Sequence, residues 1–350
     1  MKKVLYIDIL SPSGHKNYNE GVLRILSRSY QVDVCMRKDL RQRINNDYYN
    51  NCYDLDERLF RDVIASKISS RLFIGVLWRI NLFKWILSTY RKIIKSYDII
   101  FFSSAEPLSI SMASLITTSP FSFVDHGICK VTTSRSIRFY YKYLLSCRAN
   151  VCVMEPFIKE KLSRYGISNV SVVYHPLPII AVEQKKQRDI LTIFAPSGGN
   201  CPNFISQLIT EYQKIPNGVK IVIRSSSVSF NNDRLEVYNK TLDGSSYKKI
   251  FSTSDVILLP YGPIYNYRTS ALLFEALCYK KLVFILGNNT LTHYAFKYPS
   301  VVKSFKAIDD LMLLASNIEY VADDEFSKIK SDYSDDVILQ QLNCISSYGK

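Results

Sequence analysis

The chain has 350 residues, 47% hydrophobic and 22% charged, with 45 Lys and Arg against 31 Asp and Glu for a formal net charge of +14. This balance excludes a disordered chain, and the length allows two domains of ordinary size, each with its own core. Eight cysteines (Cys35, Cys52, Cys129, Cys147, Cys152, Cys201, Cys278, Cys344) stand singly with no CxxC pair, which argues against a disulfide framework or a zinc site and predicts reduced core thiols.

The charge is unevenly placed. Residues 1–180 hold 26 Lys and Arg against 14 acids, a net +12, whereas residues 181–350 hold 19 against 17, a net +2. One domain therefore faces a polyanion, and nucleic acid, an anionic membrane surface and a phosphorylated substrate are the candidates. The apolar opening, residues 4–10, contains Asp8 and ends at Ser11-Pro12 without a small-residue cleavage pattern, which predicts a cytoplasmic chain.

In chain order, residues 2–10 form a β-branched-rich strand. The loop Ser11-Pro12-Ser13-Gly14-His15 and a helix over about 18–28 follow, a ligand-binding opening for an α/β domain. GxGxxG is lacking, so no dinucleotide fingerprint is present. Residues 31–36 read as the second strand. Asp54 and Glu57 then read as the N-cap and capping-box acid of a long helical region, and this is preferred over a metal-binding DxD at Asp54-Leu55-Asp56 because no strand is predicted before it.

Residues 71–95 mix Phe73, Trp78, Phe83 and Trp85 with Arg79, Lys84, Arg91, Lys92 and Lys95, and their longest uncharged run, 72–78, is too short to span a bilayer. Two readings stand: a helix lying in a membrane interface, and a core helix of a large domain. Further strands are predicted at 98–103, 121–125, 151–154 and 170–174, with helices near 106–118, 135–147 and 156–165. Such alternation predicts a parallel, doubly wound sheet whose ligand crevice lies at the carboxyl ends of its strands. Asp125 and His126 fall at one such end; His126 is either a site residue or a hydrogen-bonded loop residue. Gly14 and His15 also follow a strand.

His175-Pro176-Leu177-Pro178 and the polar run 183–189 read as a linker, placing an acceptor-side domain at 1–177, a second α/β domain at 178–333 and a last helix at 334–350 that packs back on the first. The second unit has strands at 190–195, 219–223, 256–259 and 282–286, with helices near 203–213, 246–252, 270–279 and 306–317. Three of its loops carry anion-binding chemistry. Ser197-Gly198-Gly199-Asn200 lets backbone approach a diphosphate, and Arg224 heads the run 224–227 and can pair with it bidentately. The third lies in residues 260–281, PYGPIYNYRTSALLFEALCYKK, where Tyr261, Arg268, Thr269 and Ser270 precede an apolar helix whose first N–H groups and dipole favour a phosphate. Glu275, over a turn further along, can reach a sugar hydroxyl.

Two Rossmann-like domains, a central linker, and a late strand, loop and helix with an internal acid resemble the GT-B fold glycosyltransferases of the E-x7-E group, which use nucleotide-sugar donors. The resemblance implies two domains facing a cleft, with Glu275 on the nucleotide ribose. The first Glu of the motif is Tyr267 here, and the family's basic pair is missing from residues 196–202, so Arg268 and Arg224 are expected to carry the diphosphate charge. It also implies that the backbone at 197–199 and the helix start at Thr269 and Ser270 hold the departing phosphate, that no metal is required, and that His126 is the first candidate for a base in an inverting reaction. The expected acceptor is a growing surface polysaccharide or a lipid-linked saccharide, presented at an anionic membrane surface. The alternatives are a basic nucleic-acid-binding protein, for which no motif is present, and a GT-B-like epimerase or inactive subunit, for which Tyr267 speaks.

Overall fold

The structure, a computed structural model, describes residues 1–9, 15–67, 70–104, 121–126, 134–145, 149–180, 190–262, 265–287, 290–318 and 321–346. It divides into two compact units, Met1–Pro176 with Tyr333–Lys350, and Leu177–Asp332.

In the first unit, strands β1 (Lys3–Asp8), β2 (Gln31–Met36), β3 (Asn51–Asp54), β4 (Ile99–Ser104), β5 (Phe121–Val124), β6 (Ala149–Val153) and β7 (Val170–Val172) form one parallel sheet in the order β3-β2-β1-β4-β5-β6-β7. The strand order reverses between β1 and β4, and the carboxyl ends of a doubly wound sheet at such a switch are where ligands bind. Alternate side chains divide the sheet into two faces. Tyr6, Phe101, Val124 and Cys152 pack with helices Lys16–Leu26 and Asp335–Ser346. On the opposite face Phe102 meets Tyr90, ring centroids 5.6 Å apart, and Phe123 meets Tyr141 at 6.1 Å.

The second unit holds β8 (Leu191–Ala195), β9 (Val219–Arg224), β10 (Phe230–Asn231), β11 (Leu235–Tyr238), β12 (Val256–Leu259), β13 (Leu282–Leu286) and β14 (Val302–Phe305) in the order β10-β11-β9-β8-β12-β13-β14. Every pairing is parallel except β10 with β11, and the switch falls between β8 and β12. Helices Pro202–Thr210 and Ile308–Ser316 cover one face. Phe251 and Phe274, from helices Gly244–Thr253 and Ala271–Cys278, meet Phe194 and Tyr294 on the other.

Several expectations need correction. A strand does precede Asp54: β3 ends there, and Asp54 accepts from Arg41 at 3.0 Å instead of capping a helix. The local cap is Asp56, which accepts from the Arg58 backbone N–H at 2.9 Å. Both carboxylates are thus engaged by arginines, and among the described residues no group of three His, Cys, Asp or Glu could hold a metal. Cys52 and Cys344 are exposed, unlike the buried Cys35, Cys152 and Cys278. Strands β10, β11 and β14 were not foreseen, nor was helix Asp323–Asp332. The helix expected near 106–118 and the run 183–189 lie outside the described residues.

Candidate functional site

In the second unit the loops after β9, β8 and β12 leave neighbouring strands at the same edge of the sheet. Asn200 ties them together. Its Nδ2 donates to the carbonyls of Ala195 and Arg224, each at 2.9 Å, and its backbone bridges to Tyr261. Ser197 Oγ accepts from the Gly199 N–H at 3.0 Å and closes the loop on itself. The two glycines serve close packing. A Cβ at Gly198 would lie 3.3 Å from the Arg224 guanidinium carbon, and one at Gly199 would lie 3.2 Å from the Tyr265 ring. Hence Arg224 and Tyr265 lie against this loop, and the room expected for a diphosphate is shared with the chain's own side chains.

Tyr265 stacks on the buried Tyr261 with centroids 3.7 Å apart and planes 12° from parallel. Burial raises the Tyr261 hydroxyl far above the usual phenol range, so it stays protonated, and it lies 3.3 Å from Ser270 Oγ. Ser270 occupies the position before helix Ala271–Cys278, but its hydroxyl makes no capping bond; it is turned to Tyr261. The cap foreseen from the sequence is thus a backbone cap alone. Arg268 and Thr269 are half-buried in the preceding turn, where the Arg268 N–H donates to the Tyr265 carbonyl at 3.2 Å.

Three polar atoms at this edge are buried without a hydrogen-bond partner among the described residues: Arg224 Nε, Asn200 Oδ1 and Tyr238 Oη. Arg224 and Tyr238 are register partners at the ends of β9 and β11, and Arg224 Nη2 donates to Thr241 Oγ1 at 2.8 Å. A buried donor or acceptor left unmet costs about 1–3 kcal/mol, which a ligand or water at this edge would recover.

Glu275, on the same helix, is partly buried, and its Oε2 accepts from Tyr247 Oη at 2.9 Å. Burial lifts its carboxyl above the ordinary range while the Tyr247 hydrogen bond opposes the shift. Tyr267 stands eight residues before Glu275 with a φ of 64°, a left-handed conformation that costs a non-glycine residue roughly 1 kcal/mol or more. Thr290 holds it there, its Oγ1 accepting from the Tyr267 N–H at 2.8 Å and donating to the Tyr265 carbonyl at 3.1 Å.

A second polar cluster sits at the switch point of the first unit. Asp8 is buried at the end of β1 and accepts from Asn19 Nδ2 at 2.6 Å and from the Ser104 hydroxyl, at the end of β4. Asn19 Oδ1 accepts from Tyr6 Oη at 2.7 Å and from Ser103 Oγ. His126 Nε2 donates to the Ser103 carbonyl at 2.7 Å, which fixes the tautomer and leaves the lone pair of the neutral ring on Nδ1. His15 lies against His126 with centroids 4.2 Å apart, and burial lowers its pKa against the opposing pull of Asp8. Tyr18 packs edge-on to His126 at 4.9 Å and to His175 at 5.2 Å.

The structure therefore brings Ser197, Gly198, Gly199, Arg224, Tyr261 and Ser270 to one strand edge, and His15 and His126 to another. Asp125 turns instead to the Tyr141 hydroxyl. Gly14 lies outside the described residues. Asp8, Asn19, Tyr18, His175 and Tyr247 were missed, as was the side-chain role of Asn200 inside the loop that had been foreseen. Asp8 had a signal, a lone carboxylate inside an apolar strand; Tyr247 had none.

No family model matches the chain, and no curated protein sequence matches it. Solved structures do match in fold. HepE of Anabaena, solved with UDP and glucose, aligns over 99% of this chain and 100% of its own with a TM-score of 0.66 at 12% identity. The lipopolysaccharide outer core galactosyltransferase WaaB aligns over 98% of both chains with a TM-score of 0.60 at 14% identity. A putative UDP-N-acetylglucosamine 2-epimerase from Listeria monocytogenes aligns over 97% of this chain and 94% of its own with a TM-score of 0.54 at 14% identity. The chain thus has the fold of the GT-B glycosyltransferases, two Rossmann-like α/β units each built on a seven-stranded sheet.

Proposed function

We propose that the protein is a glycosyltransferase that moves a sugar from a nucleotide-sugar donor held by the second unit to a saccharide acceptor presented by the first. The observation that carries this reading is the set of unmet buried groups, Arg224 Nε, Asn200 Oδ1 and Tyr238 Oη, beside the carboxyl ends of β8, β9 and β11 in a fold shared with the UDP-bound HepE. Glu275 holds the ribose, and Arg224, Arg268 and the loop 197–199 face the diphosphate. When the glycosyl bond breaks, negative charge grows on the leaving phosphate, and donors already fixed in place lower the barrier without reorganising. Tyr267 replaces the first acid of the E-x7-E pattern, so any contact to the sugar at that position is made by a phenol or by backbone. His126 is the base if the reaction inverts. The acceptor is a growing surface polysaccharide or a lipid-linked saccharide, and the enzyme works at the inner face of the membrane.

Thermal-shift screening against UDP, GDP, CMP and TDP sugars tests the donor site, because a bound ligand stabilises the fold by mass action. One nucleotide class should raise the melting temperature, and Glu275→Ala should weaken that binding about tenfold to a hundredfold, the loss of a charge-assisted hydrogen bond, with the fold retained. No shift with any nucleotide, or an unchanged affinity in a folded Glu275→Ala variant, defeats the assignment. An epimerase is the second reading, favoured by Tyr267 and by the third structural match; release of an epimerised nucleotide sugar without any acceptor would decide for it.

A further inference from the structure

We infer that one face of the first unit's sheet, the face covered by residues 71–96 and 135–145, is a docking surface for an anionic lipid bilayer. This goes beyond the donor site and stands or falls independently of it.

Helix Arg71–Trp85 and its continuation through Ser96 bury one side, on which Ile74, Trp78, Leu82, Trp85, Ile86 and Tyr90 are all less than one-tenth exposed. Trp78 Nε1 donates inward to the Leu59 carbonyl at 3.0 Å, so the tryptophans are core anchors and not the interfacial residues. The opposite side is also apolar. Phe73, Val76, Ile80, Phe83 and Leu87 are between 37% and 56% exposed. At about 100° per residue, the first four fall within an arc of roughly 80°, with Arg79 on one flank and Lys84 on the other. Residues 135–145 pack on the same sheet face, since Tyr141 meets Phe123 where Tyr90 meets Phe102. They too expose an aromatic pair, Phe139 and Tyr143, centroids 4.9 Å apart, beside Arg135, Arg138 and Lys142.

The charge on these two segments has one sign. No Asp or Glu occurs in residues 63–97 or 126–154, and residues 63–154 hold twelve Lys and Arg against three acids, a net +9 of the +12 in the first 180 residues. An apolar stripe flanked by cations over so long an acid-free span complements a laterally uniform anionic surface with an apolar layer beneath it, which is a bilayer leaflet. A second copy docked on the same stripe would bring the two sets of cations together, a repulsive arrangement. No helix among the described residues is long and apolar enough to cross a membrane, so the contact lies in the interface.

Sedimentation of the full chain with vesicles tests this. The protein should pellet with phosphatidylglycerol-containing vesicles, remain in solution with phosphatidylcholine alone, and be released as salt rises. Combining Arg79→Gln, Lys84→Gln, Arg91→Gln and Lys92→Gln should weaken binding by about a hundredfold or more. Combining Phe73→Ser, Ile80→Ser and Phe83→Ser, which leaves every charge in place, should weaken it by about tenfold or more. These side chains are exposed, so melting temperatures should stay near that of the parent. In Ile80→Trp the added emission should shift to the blue on anionic vesicles. Failure to bind anionic vesicles at low salt overturns the proposal. So does full binding in both combined variants, or a concentration-dependent dimer that the serine substitutions abolish while vesicles have no effect.

Discussion

Burial holds the His175 imidazole at about 4, well below its ordinary 6.5, with its Nδ1–H donated to the Pro176 carbonyl, with Tyr18 as a ring neighbour and with the charge of His15 adding to the shift. Above pH 6.5 the ring is neutral in the folded and the unfolded chain; between 6.5 and 4 only the unfolded chain takes up the proton. Stability of the first unit should therefore fall as pH falls through that window, by roughly 3 kcal/mol. Thermal unfolding followed from pH 7 to pH 4 should show this loss, and His175→Gln should flatten it; an equal slope in both proteins would assign the acid sensitivity elsewhere. Arg268 is the other residue with a separable role. Arg268→Ala should cost more in turnover with nucleotide sugar than in affinity for the free nucleoside, which has no diphosphate. Equal losses would make the side chain structural. Neither site was fully legible from neighbouring letters. Glu275 announces itself as an acid inside an apolar helix, but its partner Tyr247 comes from a different helix, and the orphan atoms of Arg224 and Asn200 follow from how three loops meet.

At the level of elements, buried parallel strands were the readable part. Gln31–Met36, Val256–Leu259 and Leu282–Leu286 have the bounds foreseen, because a strand covered on both faces is a nearly continuous apolar run. Strand Asn51–Asp54 was invisible for the opposite reason: it is an edge strand with all four residues exposed and no alternation to detect. The final helix, Asp335–Ser346, shows what such an element contributes. Arg24 grips Asp335 with two bonds, 3.0 and 2.7 Å long, Tyr333 donates to the buried Glu155 at 2.9 Å, and Ile338, Leu342 and Ile345 enter the core beside Val22 and Leu26. Burying three such aliphatic side chains contributes about 5–9 kcal/mol, comparable with the whole stability of a domain. A chain ending at Asp332 should lose the cooperative melting of the first unit while the second still melts as a unit. Two unchanged transitions in calorimetry would show the helix to be dispensable.

Across the whole molecule, charge and chemistry are divided between the units: the loops proposed to hold the donor lie in the second, nearly neutral half, whereas the surplus of cations lies in the first. The chain leaves the first unit at Pro176 and rejoins it only at Tyr333. This has a consequence for biosynthesis. On the ribosome, the core shared by helices Lys16–Leu26 and Asp335–Ser346 stays incomplete while more than 150 further residues are made, and the second unit, continuous in sequence, can close before the first is complete. The nascent first unit is thus the one exposed to chaperones, and a substitution in helix Asp335–Ser346 acts on the earliest-made half of the protein.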